Sequence, residues 1–209
     1  MTSLIDHPFF SRYKESGTLA NTGYVIVDIE TTGLEPEKSE IIEIGALKTE
    51  GPKETDVYTT LIDPKCDIPE KIVSITGISR EMTLGKPDIK KALSDFLDFS
   101  AGKVLVAHNI DFDIPFLRYH ADKHLKRPLN NKTICTLKIS RVLFPQLKNH
   151  KLPTLAGHLG VPALNAHRAM GDVETTFHVW NKLVEMLAVK GIKTVDEIER
   201  MPLHLNNPL

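Results

Sequence analysis

The chain has 209 residues, enough for one domain with a full hydrophobic core. Apolar residues are 41% and charged residues 25%, ordinary for a soluble globular protein, and no apolar run is long enough to cross a bilayer. That excludes a transmembrane reading, while the net charge of −1 favours no class of partner by itself.

Residues 1–20 read as an N-terminal extension. Asp6, His7, Arg12, Lys14 and Glu15 break any apolar signal core, so a cytoplasmic location is expected, with no membrane partner. Tyr24 to Ile29 is a β-rich run ending in the turn Thr31-Thr-Gly-Leu-Glu-Pro36, with further strands expected over 41–48 and 57–62. Short connections make these three an antiparallel meander. A short helix is expected over 68–75, stopped by Thr76-Gly77, and a second over 87–99, where Ile89, Leu93, Phe96 and Leu97 have helical spacing. Val104 to Ala107 is a short buried strand. Helices are then expected from Ile110, over 135–144, over 154–159 and over 168–189. The class is α/β, a mixed sheet flanked by helices. Residues 21–190 form the one expected domain, with 191–209 as a C-terminal tail. Cys66 and Cys135 lie far apart without CxxC or paired-histidine spacing, so reduced thiols are expected rather than a disulfide or a zinc site.

Charge is unevenly distributed. Between Leu117 and Lys151 there are nine Lys or Arg against one acid, Asp122, so this stretch carries +8 and the remainder −9. A basic segment beside an acidic remainder fits a protein that holds a polyanion on one side and metal-binding carboxylates on another. A solvated basic helix face fits the stretch equally well.

Three short clusters carry chemistry. Asp28 and Glu30 stand two apart at the end of the first strand, so their side chains share a face. An isolated pair of this kind is most often a solvated strand end. Here the run Val25-Ile-Val27 and the Thr-Thr-Gly turn argue against full solvation, and a divalent cation would relieve the repulsion. The second cluster is His108-Asn-Ile-Asp-Phe-Asp113, where Asp113 lies near a helix start and Asp111 reads as a bystander. The third is His167-Arg-Ala-Met-Gly-Asp172. A histidine beside a metal carboxylate has a suitable pKa to take a proton from water near neutral pH.

Taken in order, Asp28-Ile-Glu30, Asp113 and His167-x4-Asp172 resemble the DnaQ-like 3′→5′ exonucleases with the Asp-Glu-Asp-Asp-His signature. The histidine stands five before the last aspartate, and position 168 is Arg rather than the Tyr of the sister branch. The resemblance runs from about Tyr24 to Val189. It includes Ile75-Thr-Gly-Ile78 and the stretch 143–152, which looks like the exonuclease of Gram-positive replicative polymerases and stand-alone epsilon-type relatives. The chain departs from the polymerase-fused members in its N-terminal extension and in having no polymerase sequence.

The resemblance implies a ribonuclease H-like fold and hydrolysis of a terminal phosphodiester. It implies two divalent ions, Mg2+ or Mn2+, held by Asp28, Glu30, Asp113 and Asp172, with His167 as general base. Leu34 and Phe112 would pack on the terminal bases, unless they are simply core residues. Thr31 and Asn109 would contact the terminal nucleotide or support the ligands. The expected substrate is the 3′ end of single-stranded DNA or of a mismatched primer, in proofreading or repair, with a DNA polymerase as partner. The alternatives are an exoribonuclease of the RNase T or oligoribonuclease type and a non-catalytic replisome-binding module.

Overall fold

A computed structural model of the chain describes residues 17–163 and 168–202. A 3-10 turn at Leu19–Asn21 leads into β1 (Gly23–Thr31), β2 (Ile41–Glu50) and β3 (Lys53–Leu61), the expected antiparallel meander. Helices α1 (Glu70–Thr76), α2 (Arg80–Thr83) and α3 (Ile89–Phe99) precede β4 (Val104–Ala107), α4 (Ile110–Leu125) and β5 (Thr133–Cys135). Then follow α5 (Thr136–Leu143), α6 (Leu152–Leu159), the long α7 (Ala169–Val189) and α8 (Val195–Glu199). The sheet order is β3-β2-β1-β4-β5, with β4 parallel to β1 and β5 parallel to β4. β5 is a difference from the sequence reading, which ran a helix from Cys135. Its three residues are too few to show a period, and only the pairing of Leu105 to Ala107 with Thr133 to Cys135 defines them.

The sheet separates two cores. On one face Val25, Val27 and Ile29 pack with Leu93, Phe96, Ile114 and Leu117 of α3 and α4. On the other, Tyr24, Ile26 and Leu47 pack with Val173, Phe177, Trp180 and Leu183 of α7, and Trp180 meets Tyr24 edge-on at 5.2 Å between ring centroids. Leu19 and Ala20, counted with the extension in the sequence, and Val195 and Ile198, counted with the tail, are buried in this second core. The first pair is anchored by hydrogen bonds from the Tyr24 hydroxyl to the Leu19 carbonyl and from the Leu19 N–H to Lys193. The described parts of the extension and tail are therefore continuous with the folded body.

Candidate active site

Alternation along β1 decides what faces α7. Tyr24 and Ile26 are buried under that helix, so Asp28 and Glu30 continue the same face past its N-terminal end. Their antiparallel partners on β2 are Gly45 and Glu43. All these positions lie towards the carboxyl ends of the parallel strands, the edge where sheets of this kind present ligand sites.

Asp172 arrives from the first turn of α7. Carboxylate oxygens of Asp28, Glu30 and Asp172 all lie within 4.8 Å of one another. Asp113 lies on the first turns of α4, 2% exposed. The parallel pairing of β1 with β4 spans Tyr24 to Ile26 and stops short of Ile29, whose backbone N–H acts to hold the Asp113 carboxyl down. The four acids expected from the sequence thus converge from three elements. His167 lies outside the described residues.

Crowding raises these acids. Burial, then the charges of Asp113, Asp172, Glu30 and Glu43, push Asp28 well above the carboxylate range. Burial, then Asp172 and Glu43, push Glu30 up to about 7, with Arg168 opposing. Burial dominates at Asp113, pushed up to about 8 against the stabilising Ile29 and Asp113 N–H groups. An all-oxygen, mutually repelling donor set fits a hard divalent cation, which would offset that repulsion.

Two residues that the sequence reading missed place Asp172. Glu43 is 3% exposed, and its carboxylate accepts from Arg168 at 3.2 Å and 2.8 Å and from the Ala169 N–H at 3.0 Å. It ties β2 to the N-terminus of α7, where an anion is favoured. Gly45 allows the close approach: a Cβ there would meet the Ala169 carbonyl carbon at 2.8 Å and the Met170 nitrogen at 2.9 Å. The readable signal was an acid and a glycine inside the buried run Ile41 to Leu47.

The expected substrate contacts divide. Leu34 is 81% exposed on the β1–β2 loop, an apolar side chain without a core role. Phe112 is half-buried and packs on Phe116 with ring centroids 5.1 Å apart, so core packing accounts for much of its surface. Asn109 is exposed in a left-handed conformation (φ 71°) at the cap of α4, with its side chain not used as the cap. Asparagine tolerates that conformation. Thr31 is buried, and its hydroxyl donates to the Gly33 carbonyl, holding the turn below Leu34. Asp111 is exposed and paired with Lys138 at 2.7 Å, away from the buried acids.

The sequence pattern of the exonuclease (RNase_T) family matches residues 25–180. The chain belongs to the exonuclease family. This exonuclease-family chain is 43% identical over 175 residues to the DNA polymerase III PolC-type protein of Caldanaerobacter subterraneus subsp. tengcongensis, covering 84% of its own length but 12% of that relative. It is 34% identical over 189 residues to the DNA polymerase III subunit epsilon of Aquifex aeolicus, covering 90% of its own length and 94% of the relative. The structure of exonuclease X in complex with 5′ overhanging duplex DNA superposes with a TM-score of 0.64 at 24% identity, over 84% of this chain and 99% of that one. Among the described residues no helix is long and apolar enough to cross a membrane.

Proposed function

We propose that the chain is a metal-dependent 3′→5′ exonuclease that releases nucleoside monophosphates from DNA ends, acting in the cytoplasm in proofreading or repair. The observation that carries this reading is the convergence of Asp28, Glu30 and Asp172 within 4.8 Å, with Asp113 buried behind them. The similarity to epsilon-type and PolC-type polymerase components supports DNA over RNA and supports a DNA polymerase as partner.

The four carboxylates would hold two divalent ions, Mg2+ or Mn2+. Bound there, the ions supply positive charge that attracts phosphate oxygens, acidifies the attacking water and steadies the leaving 3′ oxygen. The chain's own groups do the rest. His167 takes the water's proton as the water oxygen bonds to phosphorus and the bond from phosphorus to the 3′ oxygen breaks. Leu34 lies against the terminal base, a contact that any base can make. Phe112 contributes its exposed edge beside it. Asn109 reaches the terminal nucleotide from the start of α4, and Thr31 holds the turn that carries Leu34. The catalytic domain takes in the expected 21–190 together with the flanking residues Leu19, Ala20, Val195 and Ile198 that are buried in its second core.

End-labelled single strands test this. A 3′-phosphate should block or slow digestion, a 5′ block should have no effect, and RNA of equal length should be cut more slowly. Equal digestion of a closed circle, or release beginning at the 5′ end, would overturn the reading.

A further inference from the structure

A second group of metal-ligating side chains lies apart from the four acids. His120 and His124 stand one turn apart on the same face of α4, and Glu40 reaches them from the end of the β1–β2 loop. One ligand atom from each of the three lies within 4.8 Å of the others. The sequence reading set a zinc site aside for want of CxxC or paired-histidine spacing, but His120-x3-His124 is such a pair, with its partner Glu40 brought in only by the fold. His120 lies seven residues beyond Asp113, about 10 Å along the helix, so the group is separate from the candidate active site.

The hydrogen bonds fix the state of His120. The residue is fully buried, and its Nε2 lies 3.0 Å from the Ser39 carbonyl oxygen. A carbonyl only accepts, so Nε2 carries the hydrogen and Nδ1 presents a lone pair. That Nδ1 is buried without a hydrogen-bond partner, 3.7 Å from Glu40 Oε2. The gap is too long for a hydrogen bond, and two acceptors that face each other repel. His124 Nε2 is likewise buried without a partner. The two rings are nearly parallel, 8° apart, with centroids separated by 5.6 Å. Burial lowers the pKa of both imidazoles, which favours the neutral form that binds metals.

We propose that Glu40, His120 and His124 form a Zn2+ site. Two nitrogens and one carboxylate suit zinc, and the Nε2–H donated to a backbone carbonyl is the usual support of a ligating histidine. Tetrahedral zinc, about 2.0–2.2 Å from N and O ligands, sets them roughly 3.4 Å apart, close to the observed gap. Lys123, its Nζ 3.8 Å from Glu40 Oε1, is the competing cation, and it can keep that oxygen while Oε2 binds the ion. The base of the loop is closed by Thr32 and Glu40, whose backbone and side-chain hydrogen bonds are both 2.9 Å. The ion would therefore pin the loop that carries Leu34 to the helix that carries Asp113.

The test is Zn2+ uptake by the full chain, titrated against a competing chelator. The Asp28→Asn/Asp172→Asn double variant serves as background, because it weakens the carboxylate site. One equivalent of Zn2+ should bind to this background and raise its thermal midpoint. Glu40→Gln and His124→Gln, added singly, should each weaken uptake by at least about tenfold and abolish the thermal shift. Both residues are only part-buried, so these variants report even if a His120 variant fails to fold. No uptake by the background, or uptake that both added variants leave unchanged, would overturn the site.

Discussion

Gly45 touches the backbone of Ala169 so closely that a Cβ on the glycine would lie 2.8 Å from the Ala169 carbonyl carbon. Gly45 is also the register partner of Asp28. One contact therefore sets how far the first turn of α7, with Asp172, stands from the acids of β1. The neighbour is backbone and cannot swing aside as a flexible side chain would. Gly45→Ala should lower stability by about 1–3 kcal/mol through overpacking, and turnover at least about tenfold through misplacement of Asp172. Thermal midpoint and single-turnover rate check both, and wild-type values for both would mean that α7 does not depend on this approach.

Glu43 acts on the same helix by attraction. Glu43→Gln removes the charge that grips Arg168 and weakens the cap on the Ala169 N–H. Hydrogen bonds to charged groups contribute about 1.5–3 kcal/mol, and the 44% exposure of the Arg168 side chain puts the cost at the lower end. The rate should fall more than the KM rises, because Glu43 positions a ligand rather than the substrate. A change confined to KM would assign Glu43 a substrate contact instead.

The sequence showed what periodicity and spacing carry. Alternation made Asp28 and Glu30 neighbours on one face, and the helix beginning at Ile110 put Asp113 in an early turn. Glu43 and Gly45 were hidden because their roles exist only once α7 lies across β2. The sequence counted them simply as part of a buried strand. Charge was legible as an excess but not as a face. Of the basic residues between 117 and 151, Lys126 pairs with Asp122 at 3.6 Å, Arg127 with Asp98 at 2.7 Å and Lys132 with Asp196 at 2.5 Å. These three lie at the end of α4 and the start of β5, opposite the acids.

Arg141, Lys148 and Lys151 lie at the other end, on α5 and the segment after it. That segment is tied to the end of β4 by His108, whose Nε2 donates to the His150 carbonyl at 2.9 Å. If these three track the phosphate backbone, neutralising them should flatten the dependence of log binding on log salt by about 0.7 per lost contact. Neutralising Lys126, Arg127 and Lys132 should leave the slope unchanged. Filter binding of a labelled single strand over a salt series measures both. Equal slopes for the two triple variants would return the whole stretch to a solvated surface.

The crowded acids make a pH prediction for the protein kept in chelator. A carboxyl raised by folding holds a proton that the unfolded chain has lost. Its contribution is fully present below the unfolded pKa and is lost as pH rises through the folded one. For Glu30 the window runs from the ordinary 4.5 to about 7, and for Asp113 from 3.8 to about 8. His108, held down to about 4 by burial, acts oppositely but only below its ordinary 6.5. From about pH 7 to about pH 8 Asp113 and Asp28 carry most of the slope, each excess proton weighing up to about 1.4 kcal/mol per pH unit. Metal-free Tm should fall across that range, and Mn2+ should raise Tm more at the upper end, where the ligands ionise. A flat metal-free profile would mean that the acids are not crowded in solution.

The central claim is that the converged carboxylates, served by His167, cut terminal phosphodiesters. The direct measurement is release of nucleoside monophosphate from a 3′-labelled single strand by the wild type, by Asp28→Ala and by His167→Ala, each with Mg2+, with Mn2+ and with chelator. The account predicts metal-dependent release by the wild type and none by Asp28→Ala, with its fold retained. It predicts a loss of about 10²–10⁴-fold in turnover for His167→Ala, with strand binding intact. Full release in excess chelator, or by Asp28→Ala, would contradict it.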